Sequence, residues 1–386
     1  MKYKRLRLGL IGGGIDSMIG PIHRYAARLD NCYELVGGAF SRDKNKSLHL
    51  GEELGLDETR IYKDYRDLIQ QEATLSPQAR FEVIGILTPN ADHFPIAKAL
   101  MEADYHLILE KPITTRLTDA IELQCLAESY KRLCCVTYTY AGYPMIKEAK
   151  HLIQIGKIGK VKRININFSQ DWLLDYVDKT NKQAKWRQDP ALGGIAGTMG
   201  DIGVHAFHLA EYISGLEVTE IAAELNTFVP QRNLDDDGVV LLHFNNGAKG
   251  TLNASQVLCG DKANLMVTVC GEKGTILWEH AHANKLNLYR KNHHHEILHA
   301  GKDNADLSAI TLHNCRLPAG HPEGLIEAFA NHYRNFALSI QSLKEGSKSK
   351  MEYDDYPKLA EGVRSLAFIE AAVLSSQNKG KWTNLF

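Results

Sequence analysis

The chain has 386 residues with 45 Lys and Arg against 46 Asp and Glu, a formal net charge of -1, so it lacks the basic excess that a polyanionic backbone demands and nucleic acid is not an expected partner. Its length is that of two domains, each able to bury a sizeable core. Seven cysteines, with no CxxC pair, fit a reducing compartment such as the cytoplasm, and no apolar run approaches the roughly 20 residues of a membrane span.

Met1-Lys2-Tyr3-Lys4-Arg5 leads directly into a strand-like segment and not into a signal-peptide core. Leu6 to Ile11 is short, apolar and bounded by glycines, as a parallel strand buried on both faces should be. Pro21 to Leu29 predicts a helix, Glu34 to Phe40 a second strand, Lys44 to Leu54 a helix and Phe81 to Leu87 a third strand. The helix Phe94 to Glu102, the strand His106 to Leu109, the helix Thr118 to Ser129 and the strand Cys134 to Thr139 continue the alternation. Such a series predicts an α/β domain with a doubly wound parallel sheet over residues 1–143.

The pattern then changes. A helix from Met145 to Ile155 precedes "KVKRININFSQ", where polar and apolar residues alternate as in a sheet with one wet face. Val218 to Phe228, Asp237 to Phe244, Ala248 to Ser255, Asn264 to Cys270 and Gly274 to Trp278 repeat that alternation between turn signals. Residues 144–386 therefore read as an α+β domain with a large, mainly antiparallel sheet. Its long helices are Gly324 to Leu343 and Tyr356 to Ser376, with the C-terminal helix able to pack back on the first domain. A broad half-apolar sheet face calls for cover by another subunit, in a homodimer or homotetramer.

"GLIGGGIDSMIGPIH" follows the first strand, where a dinucleotide loop would sit. Gly12 and Gly14 supply the tight turn and the close approach to a pyrophosphate, and Gly20 stands for the third glycine ahead of Pro21. Ile15-Asp16-Ser17 is then an insertion, tolerated at modest entropic cost, and Ser17 and Ile19 count with the cofactor loop. After the second strand, Ser41 with Arg42 and Lys46 suits the 2′-phosphate of NADP, while Asp43 keeps NAD open.

Two further stretches carry chemistry. Leu109-Glu110-Lys111-Pro112 lies at the carboxyl end of a predicted strand, where open α/β sheets bind ligands. Gly200-Asp201-Ile202-Gly203-Val204-His205-Ala206-Phe207-His208 starts a helix and sets Asp201 and His205 one turn apart on one face. Hydride transfer from an alcohol needs a base for the hydroxyl proton and a cation near the developing oxyanion, which imidazole and ammonium supply.

The glycine loop, "TPNADHFPIAKAL", "LEKPIT" and "GDIGVHAFHLAEY", in that order, resemble the Gfo/Idh/MocA oxidoreductases. "WRQDPALGGIAGTMGDIGVHAFHLAEYISG" and "GHPEGLIEAFANHYRNF" are similar to the subgroup with levoglucosan dehydrogenase and inositol dehydrogenase-like proteins, which shares the lengthened glycine loop. The resemblance implies an N-terminal Rossmann domain and an NAD(P)-dependent dehydrogenase acting on a CH–OH group of a cyclitol or pyranose, with no metal. It implies Lys111, Asp201 and His205 as catalytic residues, with Pro112 after a cis peptide. Thr88, Pro89, Asn90 and His93 would line the nicotinamide ribose, with Glu110 ahead of the lysine. Tyr140, Tyr143, Arg187, His208 and His321 would face substrate, with Glu323 beside His321.

Plainer roles stand beside several of these. Arg187 also suits an ion pair with Asp189, His321 and Glu323 suit a helix cap, and His208 suits a satisfied helix histidine. Asn292-His293-His294-His295, with His299 and His313, reads as a solvated loop, since consecutive histidines diverge and no ligand spacing completes a tetrahedral site. Cys134 and Cys135 read as small core residues. The alternatives to a polyol dehydrogenase are a non-catalytic nucleotide-binding protein of the same fold and a reductase of an imine or a biliverdin-like pigment.

Overall fold

The computed structural model describes residues 4–177 and 180–386, so residues 1–3 of the opening stretch lie outside it. The chain divides into two compact units: Met1–Thr114 with Thr118–Thr137 and Phe329–Val363, and Thr115–Leu117 with Tyr138–Ala328 and Arg364–Phe386.

The first unit alternates β1 (Leu6–Gly12), α1 (Ile19–Leu29), β2 (Tyr33–Ala39), α2 (Lys44–Glu53), α3 (Tyr65–Glu72), β3 (Val83–Leu87), α4 (Asn90–Glu102), β4 (His106–Leu109), α5 (Leu117–Ser129) and β5 (Cys134–Val136). All five strands are parallel, in the order β2-β1-β3-β4-β5, so the strand order reverses beside β1. In an open α/β sheet that reversal leaves a crevice beyond the carboxyl ends of β1 and β3. β3 is buried along its whole length because helices cover both faces, which explains its unbroken apolar run. Asp43 and Asp64 cap α2 and α3 by accepting backbone N–H bonds. α3 was not legible in the sequence: in "YRDLIQQE" only Tyr65, Leu68 and Ile69 are apolar.

The second unit holds α6 (Pro144–Gln154), β6 (Val161–Ser169), α7 (Lys182–Arg187), α8 (Pro190–Gly193), α9 (Val204–Ser214), β7 (Val218–Asn226), β8 (Asp237–Phe244), β9 (Lys249–Ser255), β10 (Asn264–Gly271), β11 (Gly274–Glu279), β12 (Lys285–Arg290), β13 (Glu296–His299) and α10 (Ala309–Asn314). Next come α11 (Leu325–Lys344), which from Phe329 belongs to the first unit, α12 (Leu359–Gln377), which from Arg364 belongs to the second, and β14 (Thr383–Asn384). Among the described residues the strands form one sheet, β13-β12-β11-β10-β6-β9-β8-β7-β14, antiparallel except for β6 against β9. Helix α9 packs on it through an almost wholly buried surface. On the opposite face one cross-strand row runs Leu241, Thr251, Asn165, Thr268, Leu277, Asn287, Ile297, and its end residues Leu241 and Ile297 are 44% and 49% exposed.

The first unit's core joins Leu6, Leu8 and Leu10 of β1 and Val83 of β3 to Phe329, Tyr333, Phe336 and Ile340 of α11. The predicted strand Cys134 to Thr139 stops at Val136, and Thr139–Gly142 forms a 3-10 turn. Cys134 and Cys135 are buried there. His293, His294 and His295 lie exposed in the connection between β12 and β13. No helix of the described residues is long and apolar enough to cross a membrane.

Candidate active site

At the end of β1 the chain turns through Gly12 (φ 81°) and Gly13 (φ 71°), a conformation that side chains with a Cβ rarely adopt. The sequence pointed to Gly12 and Gly14 for the turn and the close approach; Gly13 shares the turn with Gly12, and Gly14 makes a close approach of its own. A Cβ on Gly14 would lie 2.8 Å from the Phe40 carbonyl oxygen. The inserted residues close a turn in which the Ser17 N–H donates to the Gly14 carbonyl (2.9 Å), and the Ser17 hydroxyl accepts from the Gly20 N–H (3.0 Å). Helix α1 begins at Ile19, two residues before the expected start, so Gly20 sits in its first turn. A Cβ there would stand 2.3 Å from the Gly13 carbonyl oxygen. The insertion thus leaves intact the close seat of helix on loop that the third glycine provides. The N-cap residue Met18 makes no side-chain cap bond and no acid occupies the first turn, so apart from the Ser17 hydroxyl on the Gly20 N–H the positive end of the helix dipole faces the loop with no charge to offset it.

At the ribose end, the Ser41 hydroxyl accepts from the Asp43 N–H (3.1 Å), and Asp43 is spent on the cap of α2. Arg42 pairs with Asp92 and Lys46 with Asp16, both at 2.7 Å. Each cation proposed for a 2′-phosphate therefore already has a carboxylate beside it.

At the carboxyl ends of β3 and β4, Thr88 and Asn90 are buried or half-buried, and the Thr88 hydroxyl oxygen is enclosed with no hydrogen-bond partner among the described residues. His93 is fully buried, with ring nitrogens 2.8 Å from the Pro112 carbonyl oxygen and 2.9 Å from that of Thr88. Both nitrogens are thus turned to the backbone, so His93 braces the ribose loop against the lysine turn instead of offering a nitrogen to a ligand. Burial holds its imidazole below the usual range. The Lys111-Pro112 peptide is cis. Glu110 accepts from His23 Nε2 (2.9 Å) and from the Thr137 hydroxyl. Burial pushes its carboxyl up, but the His23 bond, Lys111 and Thr137 outweigh that and leave it below the usual value.

The second unit gathers Asp201, His205, Arg187, Tyr140 and Tyr143. Asp201 lies in a π-helical turn, Met199–Gly203, that runs into α9, a wider coil than the expected regular helix start. Its carboxylate accepts from Arg187 Nε (3.3 Å) and from Gln256 Nε2 (2.9 Å). Arg187 therefore pairs with Asp201; Asp189 instead caps α8 through the Ala191 N–H (2.9 Å). Gln256, fully buried, also donates to Gln170 (3.0 Å) and accepts from the Thr198 hydroxyl (2.9 Å). Asp235 receives the Gly197 and Met199 N–H groups, both at 2.7 Å, and so anchors the π turn from behind. Burial raises its carboxyl to about 6 against those two bonds.

Aromatic rings surround His205: Tyr140 and Tyr138 stand edge-on at 5.0 and 5.9 Å and Phe168 lies at 6.5 Å. The Tyr143 hydroxyl meets His280 Nε2 at 3.0 Å, and burial raises both tyrosine hydroxyls. His208 stacks on Tyr138 at 4.2 Å. His321 is exposed, whereas Glu323 is buried and accepts the Arg316 and Leu317 N–H groups (2.6 and 3.0 Å). Sequence reasoning missed Gln256, Asp235, His280 and His23. The run Leu234-Asp235-Asp236-Asp237 ahead of a strand was a visible signal for the second, and Gln256 carried none.

The glycine loop, the helix start without an acidic side chain and the enclosed Thr88 hydroxyl fit a dinucleotide. The class so defined is an NAD-binding oxidoreductase on a Rossmann fold. The model of the oxidoreductase family with an NAD-binding Rossmann fold matches residues 6–138, and that of the GFO/IDH/MocA C-terminal domain matches residues 146–277. The chain belongs to the Gfo/Idh/MocA family. It is similar to an inositol dehydrogenase homolog from Azotobacter vinelandii, solved with NAD+ (TM-score 0.94, 32% identity, 99% of this chain and 98% of that one). The same homolog has been solved with NADH and myo-inositol (TM-score 0.90, 31% identity, 99% and 98%). An uncharacterized oxidoreductase of Bacillus subtilis strain 168 is 31% identical over 98% of this chain and 96% of its own. Levoglucosan dehydrogenase of Pseudarthrobacter phenanthrenivorans is 25% identical over 74% and 76%.

Proposed function

We propose that the chain is an NAD-dependent dehydrogenase that oxidises a secondary hydroxyl of a cyclitol or pyranose. The observation that carries this reading is the fixed Asp201–His205 pair: a carboxylate clamped by Arg187 and Gln256, four residues before an imidazole walled by Tyr140, Tyr138 and Phe168. Apolar ring edges exclude water from an imidazole that is to act as a base, and a clamped carboxylate beside a guanidinium presents fixed acceptors and donors to ring hydroxyls. His205 takes the hydroxyl proton as the C–O bond becomes a carbonyl, and the Lys111 ammonium stabilises the negative charge that develops on the same oxygen. The bound dinucleotide supplies the acceptor for the carbon-bound hydrogen, which leaves as hydride. Tyr140, Tyr143, Arg187 and His208 set which ring hydroxyls are held.

NAD is the proposed coenzyme, because Asp92 and Asp16 neutralise the two cations that a 2′-phosphate would need. The solved homolog with NAD+ and with NADH and myo-inositol supports both halves of the reading. A second copy of the chain covers the sheet face bearing Leu241 and Ile297, in a homodimer or homotetramer.

The test is absorbance of reduced nicotinamide with NAD or NADP and a panel of inositols, levoglucosan and hexoses. Turnover of at least one polyol, lost in Lys111→Ala and His205→Ala with NAD affinity retained, is the expected result. Tight NAD binding without turnover of any polyol would favour the non-catalytic alternative.

A further inference from the structure

A polar chain runs through the core of the first unit, behind the lysine turn. The His23 ring, fully buried on α1, has Nδ1 2.7 Å from the Tyr333 hydroxyl of α11 and Nε2 2.9 Å from Glu110 at the end of β4. The Thr137 hydroxyl donates to the same carboxylate from the end of β5. Phe329 and Tyr333 hold the imidazole edge-on at 5.1 and 5.9 Å, and the Tyr33 hydroxyl bonds the Tyr333 carbonyl at 2.9 Å. One proton assignment satisfies every member: Tyr333 O–H donates to Nδ1, Nε2–H donates to an ionised Glu110, and Thr137 O–H donates to the same carboxylate.

We propose that His23 and Tyr333 are positioning residues for hydride transfer, fixing Glu110 as an oriented carboxylate so that the adjoining Lys111 is held at one place and in one charge environment. This rests on the dehydrogenase reading above for what Lys111 does. The chain does not conduct protons outward, because His23 and Tyr333 are at most 1% exposed and the series ends in the core. Its energetic role follows from partial burial: a carboxylate left 13% exposed is helped to keep its charge by its donors, and burial acts on Glu110 in the opposite direction to His23, Lys111 and Thr137. The titratable groups around Glu110 are Lys111 beside it, His23 on α1, His93 on α4 and Tyr333 on α11. The inference also gives a task to the part of α11 that belongs to the first unit: it supplies the last donor of the chain that supports the lysine turn.

The experiment compares His23→Leu, His23→Gln and Tyr333→Phe in the full-length protein. Gln keeps an amide donor near the position of Nε2, Leu keeps only bulk, and Phe removes one hydroxyl. A misplacement of the order of 1 Å costs about 100-fold, so His23→Leu should lose roughly 10- to 100-fold in kcat and Tyr333→Phe about 3- to 10-fold, with NAD affinity within about threefold in each. His23→Gln should recover most of the loss. The acid limb of kcat should move to higher pH in His23→Leu and stay in place in His23→Gln. The Glu110 carboxyl, assigned in 13C NMR by its disappearance in Glu110→Gln, should titrate at higher pH in His23→Leu; this readout needs no turnover. An inactive wild type would thus count against the dehydrogenase reading while the carboxyl titration still decides this one. Should His23→Leu fail to fold, Tyr333→Phe and His23→Gln decide it by the same readouts. An unmoved Glu110 titration, or kcat losses that follow thermal stability alone with Gln no better than Leu, would overturn the inference.

Discussion

Replacing Gly20 with alanine tests the account of the lengthened glycine loop. The new Cβ would stand 2.3, 2.8 and 2.9 Å from the oxygen, carbon and Cα of Gly13. All three are backbone atoms of a residue at φ 71°, so no side chain can swing away. Either α1 or the loop must retreat by about 1 Å, and overpacking of this kind costs about 1–3 kcal/mol. At about 2 kcal/mol and 2–4 °C per kcal/mol, Tm should fall by roughly 4–8 °C. Whichever gives way, the seat between loop and helix N-terminus that would hold the pyrophosphate is displaced, so the same energy is withdrawn from its binding and the Kd for NAD should rise by about 30-fold. Isothermal titration with NAD measures this, alongside thermal unfolding. Gly55→Ala is the control: its φ of 65° strains an alanine, but nothing lies within 4 Å of its Cβ. It should lower Tm and leave NAD affinity alone. Gly20→Ala with NAD affinity within about twofold of wild type would refute the assignment of Gly20 to the loop's third glycine.

Asp235 ionises near 6 in the folded chain and near 3.8 when unfolded, so the folded state holds the extra proton between those values. Its burial therefore costs about 3 kcal/mol above pH 6, and the cost is relieved as pH falls toward 4. In urea unfolding, wild type should gain stability relative to Asp235→Asn between pH 7.5 and pH 5, and a loss over that interval would contradict it. Ser41→Asp places a charge where a 2′-phosphate would lie, so the NAD-to-NADP ratio of kcat/KM should rise severalfold; an unmoved ratio would show that Ser41 is away from the ribose. Leu241→Glu with Ile297→Glu should shift the molar mass in light scattering to that of a smaller assembly, and an unchanged mass would move the interface elsewhere.

The parallel half was readable because both faces of its sheet are covered, so β3 appears as an unbroken apolar run and β1 as one broken only by Arg7. β6 and β8 to β11 were readable for the opposite reason, one wet face and a largely alternating pattern, and β7 despite three buried residues in a row. β12 and its edge neighbour β13 escaped because they are short and flank three histidines. Lys111, Asp201 and His205 were legible as local motifs. The π turn under Asp201 was not, since adding one residue to a hydrogen-bonded turn leaves no compositional mark. Partners far apart in sequence were equally hidden: Gln256 reaches Asp201 across 55 residues and Tyr333 reaches His23 across 310. Helix α11 read as a long helix of the second half, and only tertiary packing shows that from Phe329 onward it completes the core of the first.

Lys111 and His205 are proposed to serve one and the same hydroxyl group, and a double-mutant cycle on kcat with the best polyol reads that pairing. If the ammonium and the imidazole act on the same oxygen, each alanine variant alone should lose about 1,000-fold, and the double variant little more than either single one. Losses that multiply in the double variant would place the two groups at independent tasks and contradict the account.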